Sequence, residues 1–173
     1  MSYTFLQANY GTINGISMTN AGCGPTAIAD IVYNIDKTIT PKKVAVWMNG
    51  KGYFGADGST RRGVSETLTK YGFQYLYFTP EHTGNESWEM FFDLIKNSRD
   101  HACWAIALAV GTKNGGRSNK WTYGGHFIAI TDFDPKTGKI YVRDPAGKNT
   151  GYHDPATLKY CCNAIWFITK IKQ

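Results

Sequence analysis

Hydrophobic and polar positions divide this chain of 173 residues into two halves of different character. In the first half, apolar residues recur at the three-and-four spacing of helices that bury one face. In the second half they form continuous or alternating runs, which is the pattern of strands. The first 19 residues fit neither pattern, and we expect an extended, irregular lead-in. Helices followed by an antiparallel sheet predict one α+β domain, because no linker or internal repeat separates the halves.

Four helices are predicted in the first half from their apolar spacing and from the residues at their ends. Serine or threonine caps a first turn, proline fits that turn, and glycine follows the last turn. A glycine-rich loop at residues 52 to 58 separates the second helix from the third. The predicted helices run from Cys23 to about 35, from Thr40-Pro41 to Gly50, from Ser59 or Thr60 to Gly72, and from about 86 to 97.

Five strands are predicted, and four of them follow the last helix. A continuous apolar run is typical of a buried central strand, and alternation is typical of a strand with one buried face. The sequence Asp-Pro-Lys-Thr-Gly at 134 to 138 predicts a tight turn between two of them. The predicted strands are 73–78, 102–110, 125–130, 139–143 and 164–171.

Cys23 lies among small residues, and Pro25 follows it at a position suited to the first turn of a helix. Cys23 is therefore predicted at a helix amino terminus. The unpaired amides and the positive dipole end there lower the thiol pKa and favour a nucleophilic thiolate. Gly22 and Gly24 are expected to leave room for a substrate backbone. A buried structural cysteine beside a helix start is the alternative interpretation.

His126 and Asp144 are predicted to meet across a hairpin. If Ile130 lies opposite Ile140, the same register places His126 opposite Asp144, and alternation puts both on one face. Directly opposed β carbons lie about 4.5 to 5.5 Å apart, so the carboxylate can accept the Nδ1 proton and leave Nε2 free. A strand histidine satisfied beside an Asp-Pro turn is the alternative.

A histidine oriented by a carboxylate and facing a helix-terminal cysteine is the arrangement of nucleophilic acyl transfer. In that reaction His126 takes the thiol proton and later gives it to the leaving amine. Asp144 fixes the tautomer of the imidazole and stabilises the imidazolium. The other histidines, His82, His101 and His153, are expected to face solvent.

Metal and cofactor chemistry is not predicted. The four cysteines show no C-x-x-C pair and no zinc-finger spacing. Cys161 and Cys162 are adjacent in a predicted strand, so their side chains should point to opposite faces rather than to one metal. We therefore expect neither a metal nor a cofactor.

Composition and charge indicate a folded, basic protein. The chain is 42% hydrophobic with a net charge of +6 and a pI near 9.1. Such a charge favours anionic partners, but the basic residues are scattered, as on an ordinary solvated surface. No apolar run approaches the roughly 18 residues of a membrane span, and the start lacks a secretory signal. We expect a monomer that is made in the cytoplasm, binds no nucleic acid, and acts outside that compartment only after something else releases it.

Several segments together resemble papain-like cysteine peptidases of the bacteriocin-leader-peptidase-like group. The resemblance implies a papain-like fold in which a helix carries the nucleophile and an antiparallel sheet carries the histidine and the aspartate. It assigns Cys23, His126 and Asp144 as the catalytic triad. The matching segments are residues 16–33 with Gly-Cys-Gly-Pro-Thr-Ala, Thr40-Pro41, residues 52–54, residues 70–72, Gly-His-Phe-Ile at 125–128 and Arg-Asp-Pro at 143–145.

The same group includes domains of bacterial and phage cell-wall hydrolases, the endolysins. The resemblance therefore implies hydrolysis of an amide bond in a peptidoglycan peptide through a thioacyl-enzyme. Two alternatives stay open. One is a protease that processes leader peptides or other proteins, and the other is a peptide-binding module without catalysis.

The oxyanion donor departs from the pattern of this group. Relatives often place a glutamine about six residues before the cysteine, and this chain has Ser17 there. Asn20, Gln7 or Tyr10 is expected to supply the side-chain donor, with Asn20 favoured. The backbone amide of Cys23 is the second expected donor.

The loop at residues 111 to 124 leads into His126 and is predicted to lie at the rim of the cleft. Gly125 keeps the approach to the histidine open. Aromatic side chains of the loop can stack on a peptide or a sugar, and its cations can meet the carboxylates of a stem peptide. A solvated connector without a role in binding is the alternative. The residues concerned are Lys113, Arg117, Lys120, Trp121 and Tyr123.

Overall fold

The computed structural model describes residues 4–80, 85–98, 103–159 and 161–172. A 3-10 helix, Gln7–Tyr10, precedes the α-helices. None of the described helices is long and apolar enough to cross a membrane. The α-helices are α1 (Met18–Ala21), α2 (Cys23–Val32), α3 (Pro41–Gly50), α4 (Arg61–Lys70) and α5 (Asn85–Asn97).

Six strands form one antiparallel sheet, and two short hairpins lie outside it. The hairpins are β1 (Thr12–Ile13) with β2 (Ile16–Ser17), and β3 (Phe54–Gly55) with β4 (Gly58–Ser59). The sheet strands are β5 (Phe73–Phe78), β6 (Ala105–Val110), β7 (Gly125–Asp134), β8 (Lys139–Arg143), β9 (Gly151–His153) and β10 (Cys162–Ile171). Their order across the sheet is β5-β10-β6-β7-β8-β9, so β7 is an inner strand and β9 lies at an edge.

Helix α2 is the most enclosed of the described helices, with nine of its ten residues buried. Its predicted extension to Ile35 is wrong, because the helix ends at Val32. The side-chain amide of Asn34 donates to the carbonyls of Asp30 and Ile31, at 3.2 and 3.0 Å. These bonds satisfy carbonyls that a continuing helix would have used, and Ile35 is exposed.

Helices α3 and α4 begin at the caps that the sequence predicts. The hydroxyl of Thr40 accepts from the Lys43 amide at 3.2 Å. Thr60, rather than Ser59, caps α4, and its hydroxyl accepts from the Gly63 amide at 2.9 Å. Gly72 follows α4 with a φ of +88°, which favours glycine.

The lead-in is more regular than expected. Asn14 and Gly15 have φ values of +48° and +80°, and they turn the chain between β1 and β2 as Asn-Gly pairs do in tight hairpins. The loop at residues 52 to 58 likewise contains most of the β3–β4 hairpin. The prediction of an irregular lead-in is therefore wrong.

Two apolar clusters cover the two faces of the sheet. Helices α2, α3 and α4 pack on one face, and α5 contributes to the cluster on the other. Sheet residues of the first cluster include Ile106, Phe127, Ala129 and Trp166, and those of the second include Ile128, Ile130, Ile165 and Phe167. Cys161 and Cys162 both belong to the second cluster, so their predicted placement on opposite faces is wrong.

The β7–β8 hairpin is longer than predicted and has a different register. Ile130 pairs with Val142, and Phe133 pairs with Ile140, with an irregularity between Ile130 and Asp132. The predicted pairing of Ile130 with Ile140 is therefore wrong. A bulge adds a residue to one strand and displaces the pairing beyond it.

Candidate active site

Cys23 is the first residue of α2, and Gly22 joins α2 to α1. The first amides of a helix have no acceptor within that helix, so the Cys23 N–H is directed out of the helix end. A Cβ on Gly22 would lie 2.6 Å from the Met18 carbonyl oxygen, and one on Gly24 would collide with the Ser59 hydroxyl. The space expected for a substrate beside these glycines is thus filled by Met18 and Ser59.

His126 and Asp144 form a short, buried pair despite the changed register. His126 Nε2 lies 2.6 Å from Asp144 Oδ1. The expectation that Nδ1 meets the carboxylate is wrong, since Asp144 follows β8 and approaches the ring from its Nε2 side. His126 also interacts with Cys23, because the imidazole lowers the pKa of the thiol and the thiol raises the pKa of the imidazole. With Nε2 held by Asp144, Nδ1 is the ring nitrogen left to face Cys23.

Asp144 is enclosed by the loop that follows it. The Ala146 amide donates to Oδ1 and the Asn149 amide donates to Oδ2, each at 3.0 Å. Burial alone would raise the pKa of Asp144, but His126 and these two amides lower it below its ordinary value. Asp144 is therefore held as a carboxylate that fixes the imidazole ring.

Cys23 and His126 shift each other's protonation in opposite directions. Enclosure alone would raise the pKa of the Cys23 thiol, but His126 and the amides of Phe127 and Gly24 lower it below its ordinary value. Enclosure would lower the pKa of His126, but Asp144 and Cys23 raise it to about 9. The pair therefore favours a thiolate beside an imidazolium, as in an activated cysteine nucleophile.

Residues 6–169 match the family model described as the Peptidase_C39 like family. The chain belongs to this family. The matched range contains Cys23, His126 and Asp144. No curated protein matches the chain.

Two solved structures of peptidases from transporters resemble this fold. One is the peptidase domain of Streptococcus ComA, a bi-functional ABC transporter involved in a quorum-sensing pathway. It is 14% identical, with a TM-score of 0.56, and the match covers 86% of this chain and 92% of that domain.

The second structure is a double glycine motif protease from an AMS/PCAT transporter in complex with the leader peptide. It is 18% identical, with a TM-score of 0.50, and the match covers 86% of this chain and 84% of that protease. Similarity at these identities concerns the fold, and it confirms the predicted α+β, papain-like class.

The three candidate oxyanion donors of this C39-like chain lie in different surroundings. Asn20 is exposed on α1, and Tyr10 is half-buried and packs edge-on against Phe5. Gln7 is buried, and its Nε2 donates to the carbonyls of Thr19 at 2.7 Å and Met18 at 3.2 Å.

The backbone of Gln7 reaches the other side of the site. Its N–H donates to the carbonyl of Pro145 at 2.9 Å. Gln7 therefore joins the residues that lead into Cys23 to the residue that follows Asp144. Gln7, rather than the favoured Asn20, is the buried side chain of the three at this junction.

The loop at residues 111 to 124 places its aromatic side chains differently from the prediction. Trp121 is buried in the second apolar cluster, and its indole N–H donates to the Thr157 carbonyl at 3.3 Å. Its predicted role as a rim contact is therefore wrong. Tyr123 is 65% exposed, and Gly125 is also exposed at the start of β7. Three cations of this loop are exposed: Lys113, Arg117 and Lys120.

His153 is half-buried rather than turned to solvent. Its Nε2 lies 2.6 Å from the Asn149 carbonyl, and its ring packs edge-on against Trp121. His82 and His101 lie outside the described residues. Among the residues that are described, no group of three or more His, Cys, Asp or Glu side chains could hold a metal ion.

Asn149 is a supporting residue that the sequence prediction missed. Its amide N–H holds Asp144, and its side-chain amide donates to the Lys120 carbonyl at 2.8 Å. It thereby connects the loop around Asp144 to the loop that leads into His126. The turn signal was present in Asp-Pro-Ala-Gly at 144 to 147, where Gly147 has a φ of +81°.

Proposed function

We propose that this chain is a cysteine peptidase in which Cys23 is the nucleophile, His126 the acid and base, and Asp144 the residue that orients the imidazole. The supporting observation is the continuous contact from Cys23 to His126 to Asp144, with the 2.6 Å bond at its buried end. A histidine satisfied by Asp144 alone would not also pair with a helix-terminal thiol.

The proposed reaction begins with the thiolate of Cys23 attacking the substrate carbonyl carbon. The negative charge then passes to the carbonyl oxygen of a tetrahedral intermediate. The His126 imidazolium gives its Nδ1 proton to the leaving amine as the C–N bond breaks. Water, deprotonated by the neutral imidazole, attacks the thioester carbonyl carbon, and the C–S bond breaks to release the acid product and restore the thiolate–imidazolium pair.

We assign the oxyanion site to the Cys23 amide and the Gln7 side chain. The amide lies at the start of α2, where the first N–H groups have no acceptor within the helix. Gln7 is buried beside Met18 and Thr19, one turn before the nucleophile. Its Nε2 would exchange one of these carbonyl bonds for the oxyanion. Removing such a donor typically costs about 2.7 to 4 kcal/mol of transition-state stabilisation.

We propose a peptidoglycan stem peptide as the substrate. The exposed cations of the 111–124 loop and the exposed ring of Tyr123 support this choice, since stem peptides carry carboxylates. The resemblance to domains of cell-wall hydrolases supports it as well. The second candidate is a leader peptide, because one solved structure of the same fold is a protease in complex with a leader peptide.

Digestion of purified bacterial cell walls tests this proposal. New amino and carboxyl termini should appear by mass spectrometry with the wild type and be absent with Cys23→Ala. A parallel reaction with a double-glycine leader peptide separates the two substrates. Equal product from Cys23→Ala would refute the assignment of the nucleophile.

Thiol alkylation separates a peptidase from a binding module. Iodoacetamide at neutral pH should modify Cys23 far faster than Cys103 and Cys161. Burial raises the pKa of Cys103 to about 12 and that of Cys161 to about 11. A Cys23 thiol as slow as these two would favour a module that binds without catalysis.

A further inference from the structure

Asp30 is a buried acid on the nucleophile helix that the proposed reaction does not use. It is 3% exposed and lies seven residues after Cys23, about two helical turns along α2. Its Oδ1 accepts from the Phe5 amide at 3.0 Å. Its Oδ2 is buried and has no hydrogen-bond partner among the described residues.

Two more buried polar atoms occur along the boundary between α2 and the lead-in. Thr26 Oγ1 lies one turn before Asp30 on α2, and Gln7 Oε1 lies two residues after Phe5. Neither atom has a hydrogen-bond partner within the described chain. A buried polar atom without a partner costs about 1 to 3 kcal/mol. An apolar boundary would be more stable, so these side chains suggest a role other than stability.

The lead-in runs along α2 towards the active site. Phe5 is held at Asp30, behind the nucleophile, whereas Gln7 is held at Met18 and Thr19, before it. The three residues from Phe5 to Gln7 thus connect the buried end of α2 to its catalytic end.

We propose that Asp30 is a positioning residue for Gln7, which it fixes through the Phe5 amide at the distance from Cys23 that the oxyanion requires. This inference rests on the proposed function, in which Gln7 donates to the oxyanion. Asp30 acts at a distance, because its hydrogen bond is to the lead-in rather than to Cys23, His126 or Asp144.

The chemical state of Asp30 suits this role. Burial raises its pKa to about 8, although the Phe5 amide and the charge of Arg143 act in the opposite direction. At neutral pH the side chain is mainly an uncharged acid with a carbonyl-type acceptor. Asparagine offers the same acceptor in the same shape, whereas leucine fills the space and accepts no hydrogen bond.

The test is a set of variants, Asp30→Leu and Asp30→Asn, each made in the wild type and in Gln7→Ala. Hydrolysis of a peptide substrate gives kcat and KM. Affinity for a peptide aldehyde reports the tetrahedral state, because the aldehyde forms a hemithioacetal with Cys23. The rate of iodoacetamide alkylation reports the thiolate without an oxyanion.

We expect Asp30→Leu to lower kcat roughly 10- to 100-fold, as a misplacement near 1 Å does, with KM changed less than about twofold. Aldehyde affinity should fall by the same factor, and the alkylation rate should stay at the wild-type value. Asp30→Asn should retain wild-type kcat. In Gln7→Ala, Asp30→Leu should add no further loss, because both changes remove one interaction.

The positioning role would be overturned if the losses of kcat from Asp30→Leu and Gln7→Ala are additive. It would also be overturned if Asp30→Leu lowers the alkylation rate by the same factor as kcat. If Asp30→Leu does not fold, Asp30→Ser supplies the same comparison, because its hydroxyl is too short to reach the Phe5 amide. A wild-type kcat in Gln7→Ala would instead refute the oxyanion assignment. Activity in Cys23→Ala would refute the proposed function itself.

Discussion

At the scale of single residues, His126 depends on two partners that both stabilise its protonated form. Asp144 holds Nε2 at 2.6 Å, and the Cys23 thiolate faces the other side of the ring. The thiolate–imidazolium pair is therefore the main form at pH values above the lowered pKa of Cys23 and below the pKa of His126, which is about 9. This range defines the pH interval in which the peptidase should be active.

Replacing Asp144 should narrow that interval. Asp144→Asn keeps the shape but removes the carboxylate that raises the pKa of His126, so the alkaline limb of the kcat/KM profile should move below pH 9. The rate at neutral pH should fall roughly 100-fold or more, as for other orienting carboxylates. If Asp144→Asn leaves both the rate at neutral pH and the pH profile of kcat/KM unchanged, Asp144 has only a structural role in the turn that follows β8.

Asp30 should make stability depend on pH in the opposite sense to an ordinary acid. Its pKa is about 8 in the folded chain, against an ordinary value of 3.8. Between these values the folded state holds a proton that the unfolded state has lost, so stability falls as pH rises towards 8.

Asp30→Asn removes this dependence. The free energy of unfolding of the variant, relative to wild type, should rise between pH 4 and pH 8 by up to about 1.4 kcal/mol for each pH unit. Urea denaturation at pH 4, 6, 8 and 9 measures the difference, which should level off above pH 8. A difference that is constant with pH would indicate an ordinary pKa for Asp30.

At the scale of elements, β7 and β8 bring the base and its orienting acid together through an irregular pairing. Thr131 lies within the irregularity, is buried, and accepts through its hydroxyl from Arg143 Nε at 3.0 Å. The extra residue in β7 sets the register between the two strands and thereby the position of Asp144 along the hairpin relative to His126. The hairpin thus determines which ring nitrogen meets the carboxylate.

Deleting Thr131 should break the His126–Asp144 bond, because a one-residue slip turns a strand's side chains to the opposite face. Thr131→Val keeps the chain length and loses the Arg143 bond, so it is the matched control. We expect the deletion to abolish hydrolysis and to slow Cys23 alkylation at neutral pH, and the valine variant to retain both. Activity in the deletion variant would show that the bulge does not set the pairing.

Elements with a clear period were predictable from the sequence, and irregular ones were not. The caps at Thr40 and Thr60 and the strand at Phe73–Phe78 follow from local patterns, and the structure confirms them. A bulge leaves no period to detect, so the meeting of His126 with Asp144 was predictable from the sequence, whereas the ring nitrogen that meets the carboxylate was not. The burial of Trp121 depends on Thr157 and His153, which are distant in the sequence.

At the scale of the whole molecule, the net charge of +6 is carried by separate regions of the surface. Lys113, Arg117 and Lys120 are exposed in the loop that leads into His126. Lys136, by contrast, lies in the turn at the opposite end of β7, and Lys42 lies on α3. The location of a charge, rather than the total, should therefore determine its effect on substrate binding.

Replacing Lys113, Arg117 and Lys120 together with serine should raise KM on anionic wall fragments and weaken its salt dependence. The kcat on a small neutral peptide should stay constant, because the triad is unchanged. Lys42, Lys51 and Lys136, all exposed, provide a control with the same charge change. If both triple variants raise KM equally, net charge alone determines binding. If the loop variant loses as much activity on the neutral peptide as on wall fragments, the loop serves to support His126 rather than to bind the substrate.

Helix α2 links the reactivity of Cys23 to the cohesion of the entire core. Nine of its ten residues are buried, so its backbone hydrogen bonds can open only when packing on that face of the sheet is lost. Amide hydrogens of α2 should exchange with solvent as slowly as any in the chain. The activated state of the Cys23 thiol should therefore be lost in the same cooperative transition as the global fold. A partly unfolded protein that retains an activated Cys23 is not expected to accumulate.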